Sequence, residues 1–367
     1  MQVGVVKEVK DHEYRVGATP GMVRSMQEAG AQVLVESGAG LAIGYSDEQY
    51  QSCGAQIVTC EQAWQADLVI KVKEPLLFEV ERMKEGKSLY AFLHLAAEKE
   101  LTLALIKKKI TAIAFETITS PDGRLPLLSP MSAIAGRIAA QMGALGLHKT
   151  QGGLGKLLGG IPGVLPAQAV VIGAGVSGAH AIASLIGMGA DVTVLDTNLI
   201  KLEQIQKHWG ARVKTLYSTK QALATQLLKA DLVVIGVLVT GDKAPKLITR
   251  AMLKSMQKGA VIVDISIDQG GACETSRPTT HSNPFYIEDG IVHYCVSNIP
   301  GTCAKTATEA LSSVTLSHAL SMISMGVQKA IDSDKHLRDG VNVHAGKITH
   351  RAIAQALKME YDKAFNS

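Results

Sequence analysis

The sequence predicts an α/β chain of two domains, and three observations carry that reading. Short apolar runs alternate with amphipathic stretches through both halves of the chain, which implies parallel strands joined by crossover helices. A glycine turn of the form G-x-G-x-x-G follows an apolar run at 169–172 and opens a helix-like segment. The length of 367 residues also exceeds the ~100–200 of an ordinary domain.

The first region reads in order as strand Val3–Val6, helix Pro20–Ala29, strand Gln32–Glu36 and a helical segment at Asp47–Cys53. Strands at Leu68–Val72, Ser88–Ala91 and Ala112–Phe115 follow, with a helix at Glu98–Lys109 before the last. After the turn at Ser120–Arg124 and the prolines Pro126 and Pro130, small and apolar residues at helical spacing from Ser132 to His148 predict a long bridging helix. Gly152–Gly163, with six glycines, reads as a loop. A second α/β unit then runs through Ala169–Ile172, the glycine turn, a helix to about Met188, Asp191–Leu195, Lys201–His208, Ala222–Lys229, Leu232–Val237, Thr249–Met256, Ala260–Ile265 and Val292–Val296. The tail, Ala307–Ile331 and Ile348–Phe365, reads as two helices, the first crossing back to the amino-terminal domain. The expected architecture is two Rossmann-like domains with parallel sheets around an inter-domain cleft, linked by long helices. The expected boundaries put residues 1–127 with 306–367 in the first domain and 128–305 in the second, which is of nucleotide-binding size.

Composition narrows the function classes. With 47% hydrophobic and 19% charged residues, the chain buries enough apolar surface to offset its ordering entropy, which excludes a largely disordered protein. Mean hydropathy is +0.16, and the uncharged stretch from Ala169 up to Asp191 has the ~20 residues that span a bilayer core. Its glycines at 173, 175, 178, 187 and 189, with Ser177, His180 and Ser184, suit a strand-turn-helix unit instead, so no membrane is expected. Lys7, Glu8, Lys10 and Asp11 leave no apolar core for a secretory signal, and a cytoplasmic location is the expectation. Five scattered cysteines without a CxxC pair fit reduced thiols. A net charge of +4, with its only basic run at the helix end Lys107–Lys109, does not point to nucleic acid.

The glycine turn Gly173-Ala174-Gly175-Val176-Ser177-Gly178 assigns each glycine a task. The first makes the turn, the second lets backbone approach a pyrophosphate, the third packs helix on strand, and the helix amino end favours negative charge. Asp196 closes the next strand, 18 residues past Gly178. A carboxylate there binds both ribose hydroxyls of NAD and repels the 2′-phosphate of NADP, so NAD is the expected cofactor. FAD and S-adenosylmethionine use related turns, and a turn without ligand is the plain alternative.

Several polar residues stand in apolar surroundings. Lys71 and Lys73 end the strand Leu68–Val72, where open α/β sheets bind ligands, although edge lysines also sit there. His94, within Tyr90-Ala91-Phe92-Leu93-His94-Leu95, reads either as a satisfied core histidine or as an acid/base. Arg15 either anchors a carboxylate through its planar fork or pairs on the surface. Asp268 ends an apolar strand of the nucleotide unit as a candidate acid, while Asp264 reads as structural.

At these residues the sequence resembles the alanine dehydrogenase family over essentially its whole length. The carrying segments are Glu13-Tyr14-Arg15-Val16, Val72-Lys73-Glu74-Pro75, Leu93-His94-Leu95, the glycine turn with Val194-Leu195-Asp196, Lys243-Ala244-Pro245-Lys246, Asp268-Gln269-Gly270-Gly271, Ser276-Arg277-Pro278-Thr279-Thr280 and Asn298-Ile299-Pro300-Gly301. The resemblance implies NAD-dependent conversion of L-alanine to pyruvate and ammonium, and the reverse, in a homo-oligomer that is a hexamer. It implies that Arg15 and Lys73 hold the substrate carboxylate and that His94 and Asp268 transfer protons. The cofactor contacts it implies are Ser132, Val176, Ser177, Asp196, Lys201, Ser218, Val237, Leu238, Ile265, Ser266, Ile267, Asp268, Arg277, Val296, Ser297, Asn298 and Ile299, beside Gly173, Gly175 and Gly178.

The chain departs from the family pattern at Val6, where a proline is usual, and in Gly301-Thr302-Cys303-Ala304-Lys305, which lacks a second proline. Some relatives bind magnesium near 321–325, but Ser321 and Met325 are poor hard-cation ligands, so no metal is expected. Two alternatives remain: the nucleotide-binding portion of a proton-translocating transhydrogenase, and a non-catalytic NAD-binding relative.

Overall fold

Residues 1–237 and 244–362 are described by the computed structural model. They form two units, Met1–Met131 with the chain from Cys303 onward, and Ser132–Thr302.

The first unit is built on an eight-stranded sheet. Its spatial order is Lys347–Ile348, Val341–His344, Thr111–Ala114, Ser88–Ala91, Leu68–Ile70, Gln2–Val5, Gln32–Glu36 and Gln56–Val58. The six strands from 2 to 114 are all parallel. Val3, Val5, Val33, Val35, Val69 and Leu89 are fully buried, as strands covered by helices on both faces must be. Gly4 is required in the central strand, because a Cβ there would lie 2.0 Å from the Ala63 carbonyl oxygen of the covering helix Cys60–Trp64. Thr19 caps the helix Pro20–Glu28 by accepting the Met22 N–H, and that helix buries Met22, Val23 and Met26.

The tail departs from the expected pair of helices. Helix Ala304–Met325 breaks at Gly326, whose φ is 86°, and is followed by Val327–Ser333, Lys335–Asp339, a hairpin and the short helix Arg351–Leu357. The hairpin strands Val341–His344 and Lys347–Ile348 extend the first sheet antiparallel to Thr111–Ala114. The sheet is therefore mixed rather than wholly parallel. Among the described residues no single helix is long and apolar enough to cross a membrane.

The second unit carries seven strands in the order Phe285–Glu288, Ile291–Tyr294, Val261–Asp264, Leu232–Ile235, Gln168–Ile172, Asp191–Asp196 and Val213–Tyr217. Only Phe285–Glu288 is antiparallel. The helix Ser129–Gly146 lies against this sheet through its glycines. A Cβ at Gly136 would come 2.1 Å from the Ser177 carbonyl oxygen, and Gly143 and Gly146 face Leu232 and Val261.

Leaving aside the antiparallel strands, each sheet runs 3-2-1-4-5-6 in chain order. The order reverses between strands one and four, and ligands of such sheets bind beyond the carboxyl ends at that switch point. It lies past Val5 and Ile70 in the first unit and past Ile172 and Ile235 in the second.

Imidazoles partly or wholly withdrawn from water link this fold to pH. Desolvation holds His180, His293, His318, His344 and His350 below the ordinary value of 6.5. At His293 burial outweighs the Ile291 carbonyl, which accepts from Nδ1 at 3.0 Å and favours the charged ring, while Nε2 lies 2.9 Å from the Thr275 hydroxyl. The unfolded chain thus takes up protons that the native chain refuses, so this stability is present above the unfolded value and is lost as pH falls through the depressed native values. The unfolding midpoint in calorimetry is expected to hold steady above pH 6.5 and to decline progressively below it.

Candidate active site

Four loops leave the carboxyl ends of the first sheet and carry Arg15, Lys71, Lys73 and His94, the residues singled out in this unit, together with several carboxylates that were not. The loop after Gln2–Val5 brings Glu8, Lys10, Glu13 and Arg15, the one after Leu68–Ile70 brings Lys71, Lys73 and Glu74, and those after Ser88–Ala91 and Thr111–Ala114 bring His94 and Glu116.

The two lysines separate into different roles. Lys71 is fully buried, its ammonium donates to Glu8, and it stands 3.6 Å from Glu79. Burial opposes its charge, but Glu8 and Glu79 outweigh that and hold it above the ordinary lysine range. Burial pushes the Glu8 carboxyl up. Glu8 also accepts the Val72 N–H at 2.7 Å, so this pair stitches strands one and four together at the switch point. Lys73 remains partly open, 3.3 Å from Glu74. Burial of Glu74 works against its charge, yet Lys73, Lys10 and His94 bring its pKa down to about 2. Both lysines lie beyond the strand, which ends at Ile70 rather than Val72.

Arg15 is not a surface pair. It is 2% exposed, and its guanidinium is gripped by Glu13, with Nε to Oε1 at 2.7 Å and Nη2 to Oε2 at 2.5 Å. His94 is not a core residue either. It is exposed with φ of 50°, its ring parallel to Phe92 at 6.1 Å between centroids. Its apolar neighbours Phe92, Leu93 and Leu95 are buried as the run suggests, but the left-handed backbone turns the histidine outward.

In the second unit the glycine turn has the shape its spacing calls for. Gly173 has φ of 99° and sits against Gly236, whose carbonyl oxygen would meet a Cβ at 2.6 Å. Gly178 is closer still, with the Gly173 carbonyl oxygen 1.8 Å from where its Cβ would be. Nothing lies within 4 Å of a Cβ at Gly175. That open side, at the amino end of helix Val176–Gly187 where Val176 and Ser177 lie, is the space a pyrophosphate needs. Asp196 accepts the Ala174 N–H at 2.6 Å and the Asn198 N–H at 2.7 Å, which ties the end of its strand to the turn. Ser218 donates its N–H to the Asp196 carbonyl, and Lys201 lies exposed in helix Leu199–Trp209.

Beside the switch point, past strands Leu232–Ile235 and Val261–Asp264, the Val237 N–H donates to Ser266 Oγ at 3.1 Å and the Ser266 hydroxyl donates to the Val237 carbonyl at 2.8 Å. Leu238 lies outside the described residues. Ile265, Ser266, Ile267 and Asp268 form the short helical turn Ile265–Gln269, so Asp268 follows the strand by four positions instead of ending it, and it is exposed. Asp264 is buried and accepts the Ser266 N–H, the Ala272 N–H and the Ser276 hydroxyl, at 3.0, 2.8 and 2.6 Å. Burial pushes its carboxyl up, and its work is to fold the loop that carries Asp268. Arg277 stacks over Tyr286 at 3.9 Å. Val296, Ser297, Asn298 and Ile299 follow strand Ile291–Tyr294, with Asn298 at φ of 63°. Ser132 lies in helix Ser129–Gly146.

Glycine turn, open pyrophosphate space and terminal carboxylate together fit a dinucleotide. Family models described as the N-terminal and C-terminal domains of "Alanine dehydrogenase/PNT" match residues 4–135 and 139–351. The chain belongs to this family. The alanine dehydrogenase of Halomonas elongata is 48% identical over 366 residues, 99% of each chain, and that of Methanococcus maripaludis is 48% identical over the full length of both. A solved L-alanine dehydrogenase superposes with a TM-score of 0.94 at 43% identity, covering 98% of this chain and 99% of that one. A transhydrogenase structure from Sinorhizobium meliloti, at TM-score 0.83 and 24% identity over 95% of this chain and all of that one, shares the fold. Membership in the family implies a nicotinamide cofactor and small-molecule substrates.

Proposed function

We propose that this chain is an NAD-dependent L-alanine dehydrogenase that interconverts L-alanine with pyruvate and ammonium. The observation that carries the reading is the gathering of Arg15, Lys73 and His94 at the carboxyl ends of one sheet, in a chain similar to alanine dehydrogenases along its whole length. The first unit holds the substrate and the second the cofactor.

Arg15 and Lys73 neutralise the substrate carboxylate and fix the α-carbon. Glu74 stays ionised, with its carboxylate 3.3 Å from the Lys73 Nζ. When bound, the nicotinamide ring supplies the acceptor for the α-hydrogen as hydride. His94 and Asp268 move the protons as the amine becomes an iminium, water adds to it, and the carbinolamine releases ammonium. The Val176 and Ser177 end of the helix holds the pyrophosphate, while Asp196 holds the ribose of NAD. The enzyme works as a homo-oligomer, a hexamer, in the cytoplasm, and light scattering of the purified protein tests the assembly.

Spectrophotometric reduction of NAD across a panel of amino acids tests the activity. L-alanine is the expected substrate, and calorimetric NAD binding without turnover on any amino acid would overturn the reading. Asp196→Asn tests cofactor choice, because it removes the charge while leaving an acceptor for the Ala174 N–H. The ratio of kcat/KM for NADP over NAD is expected to rise about tenfold or more, the equivalent of ~1.4 kcal/mol of relieved repulsion. An unchanged ratio would mean that Asp196 does not face the ribose.

A further inference from the structure

His94 occupies a backbone conformation that side-chain-bearing residues adopt rarely and at a cost, with φ of 50°. No regular element imposes it, since strand Ser88–Ala91 has ended and helix Lys99–Lys107 has not begun. Its carbonyl accepts the Ala97 N–H at 3.0 Å, and its own N–H is held by a carboxylate. Glu116 accepts the His94 N–H at 2.7 Å and the Leu93 N–H at 3.2 Å to each of its oxygens. Two consecutive N–H groups converging on one anion form a concave backbone nest, and the carboxylate fills it.

The carboxylate is itself fixed. Glu116 lies in the turn Phe115–Thr117 directly after strand Thr111–Ala114, which pairs in parallel with Ser88–Ala91, Ala114 facing Ala91. Its neighbour Phe115 meets Phe92 edge-on at 5.1 Å, and Phe92 lies parallel to the His94 ring. Backbone and ring of His94 are thus both referred to the adjacent strand end.

We propose that Glu116 is the positioning residue of His94: by filling the backbone nest at Leu93 and His94 it keeps the strained turn that presents the imidazole at the carboxyl end of the sheet. The inference rests on the reading of His94 as a proton-transfer group, and it assigns Glu116 no contact with substrate. Removing the carboxylate lets the backbone relax to an ordinary conformation and displaces the ring.

The test is a double-mutant cycle in the full chain. Glu116→Ala is expected to lower kcat with L-alanine roughly 10²-fold, the scale of an ångström-level misplacement, with NADH affinity unchanged. Glu116→Gln keeps an acceptor oxygen and is expected to recover most of that loss. In a His94→Ala background, Glu116→Ala is expected to add no more than about twofold, because its effect passes through the histidine. Wild-type kcat in Glu116→Ala, or a loss that adds in full on His94→Ala, would overturn the proposal. Glu116→Asp, which withdraws the carboxylate by one methylene, serves the same cycle if the alanine variant fails to fold. Amide exchange at Leu93 and His94 is read alongside: slow in wild type and Glu116→Gln, fast in Glu116→Ala. That exchange decides whether Glu116 holds the turn even if the wild-type protein does not turn over alanine, so the two readings fail separately.

Discussion

Gly178→Ala is expected to cost both stability and cofactor binding, whereas Gly175→Ala costs binding alone. A Cβ at Gly178 would lie 1.8 Å from the Gly173 carbonyl oxygen and 2.9 Å from its carbon, both backbone atoms. Neither can swing aside, because Gly173 is itself held against Gly236 with φ of 99°. The helix Val176–Gly187 must therefore move off its strand, and overpacking of this kind costs about 1–3 kcal/mol or more. For a unit of this size that lowers the unfolding midpoint by ~2–4 °C per kcal/mol. At Gly175 a Cβ meets nothing within 4 Å and φ is −73°, so alanine is tolerated by the fold. In the proposed reading the methyl group instead fills the space where the pyrophosphate approaches. Calorimetry and NADH fluorescence titration separate the two: a lowered midpoint with lost binding for Gly178→Ala, an unchanged midpoint with binding weakened about tenfold or more for Gly175→Ala. A Gly178→Ala protein with wild-type midpoint and NADH affinity would remove the turn from the cofactor site.

These glycines were legible because everything the turn needs lies within a few residues of it. The same holds for the central strands, whose apolar runs are short and uninterrupted. Legibility failed at sheet edges. Gln56–Val58, Val213–Tyr217 and Phe285–Glu288 are only partly buried, so they lack a continuous apolar run, and the hairpin from Val341 is broken by Asn342 and His344. It also failed for the carboxylates that organise the candidate site. Glu8 and Lys71 stand 63 positions apart, and Glu116 and His94 stand 22 apart, so only the sheet order brings them together. The Glu13–Arg15 grip is different, since its partners stand only two positions apart, but nothing local in the sequence marks them as buried.

Replacing His94 with glutamine and Asp268 with asparagine is expected to lower kcat for alanine oxidation by about 10²–10⁴-fold each, the usual contribution of a positioned acid or base. Both substitutions keep approximate shape and hydrogen-bonding capacity while removing the titrating group. His94 and Asp268 are exposed at loops beyond strand ends, and neither is counted among the buried core residues, so little loss of stability accompanies either change. The distinguishing measurements are the split between kcat and KM and the pH profile. His94→Gln should leave NADH affinity untouched, because His94 belongs to the unit without the glycine turn, and should abolish the limb of the kcat/KM profile that reports the histidine. Lys73→Met provides the contrast. Lys73 holds charge against Glu74 and, in the proposed reading, against the substrate carboxylate, so its loss should fall chiefly on the KM for alanine. If His94→Gln raised KM while sparing kcat, the histidine would be a binding group, and the proton transfers would have to be assigned elsewhere among the loops that leave the carboxyl ends of the two sheets.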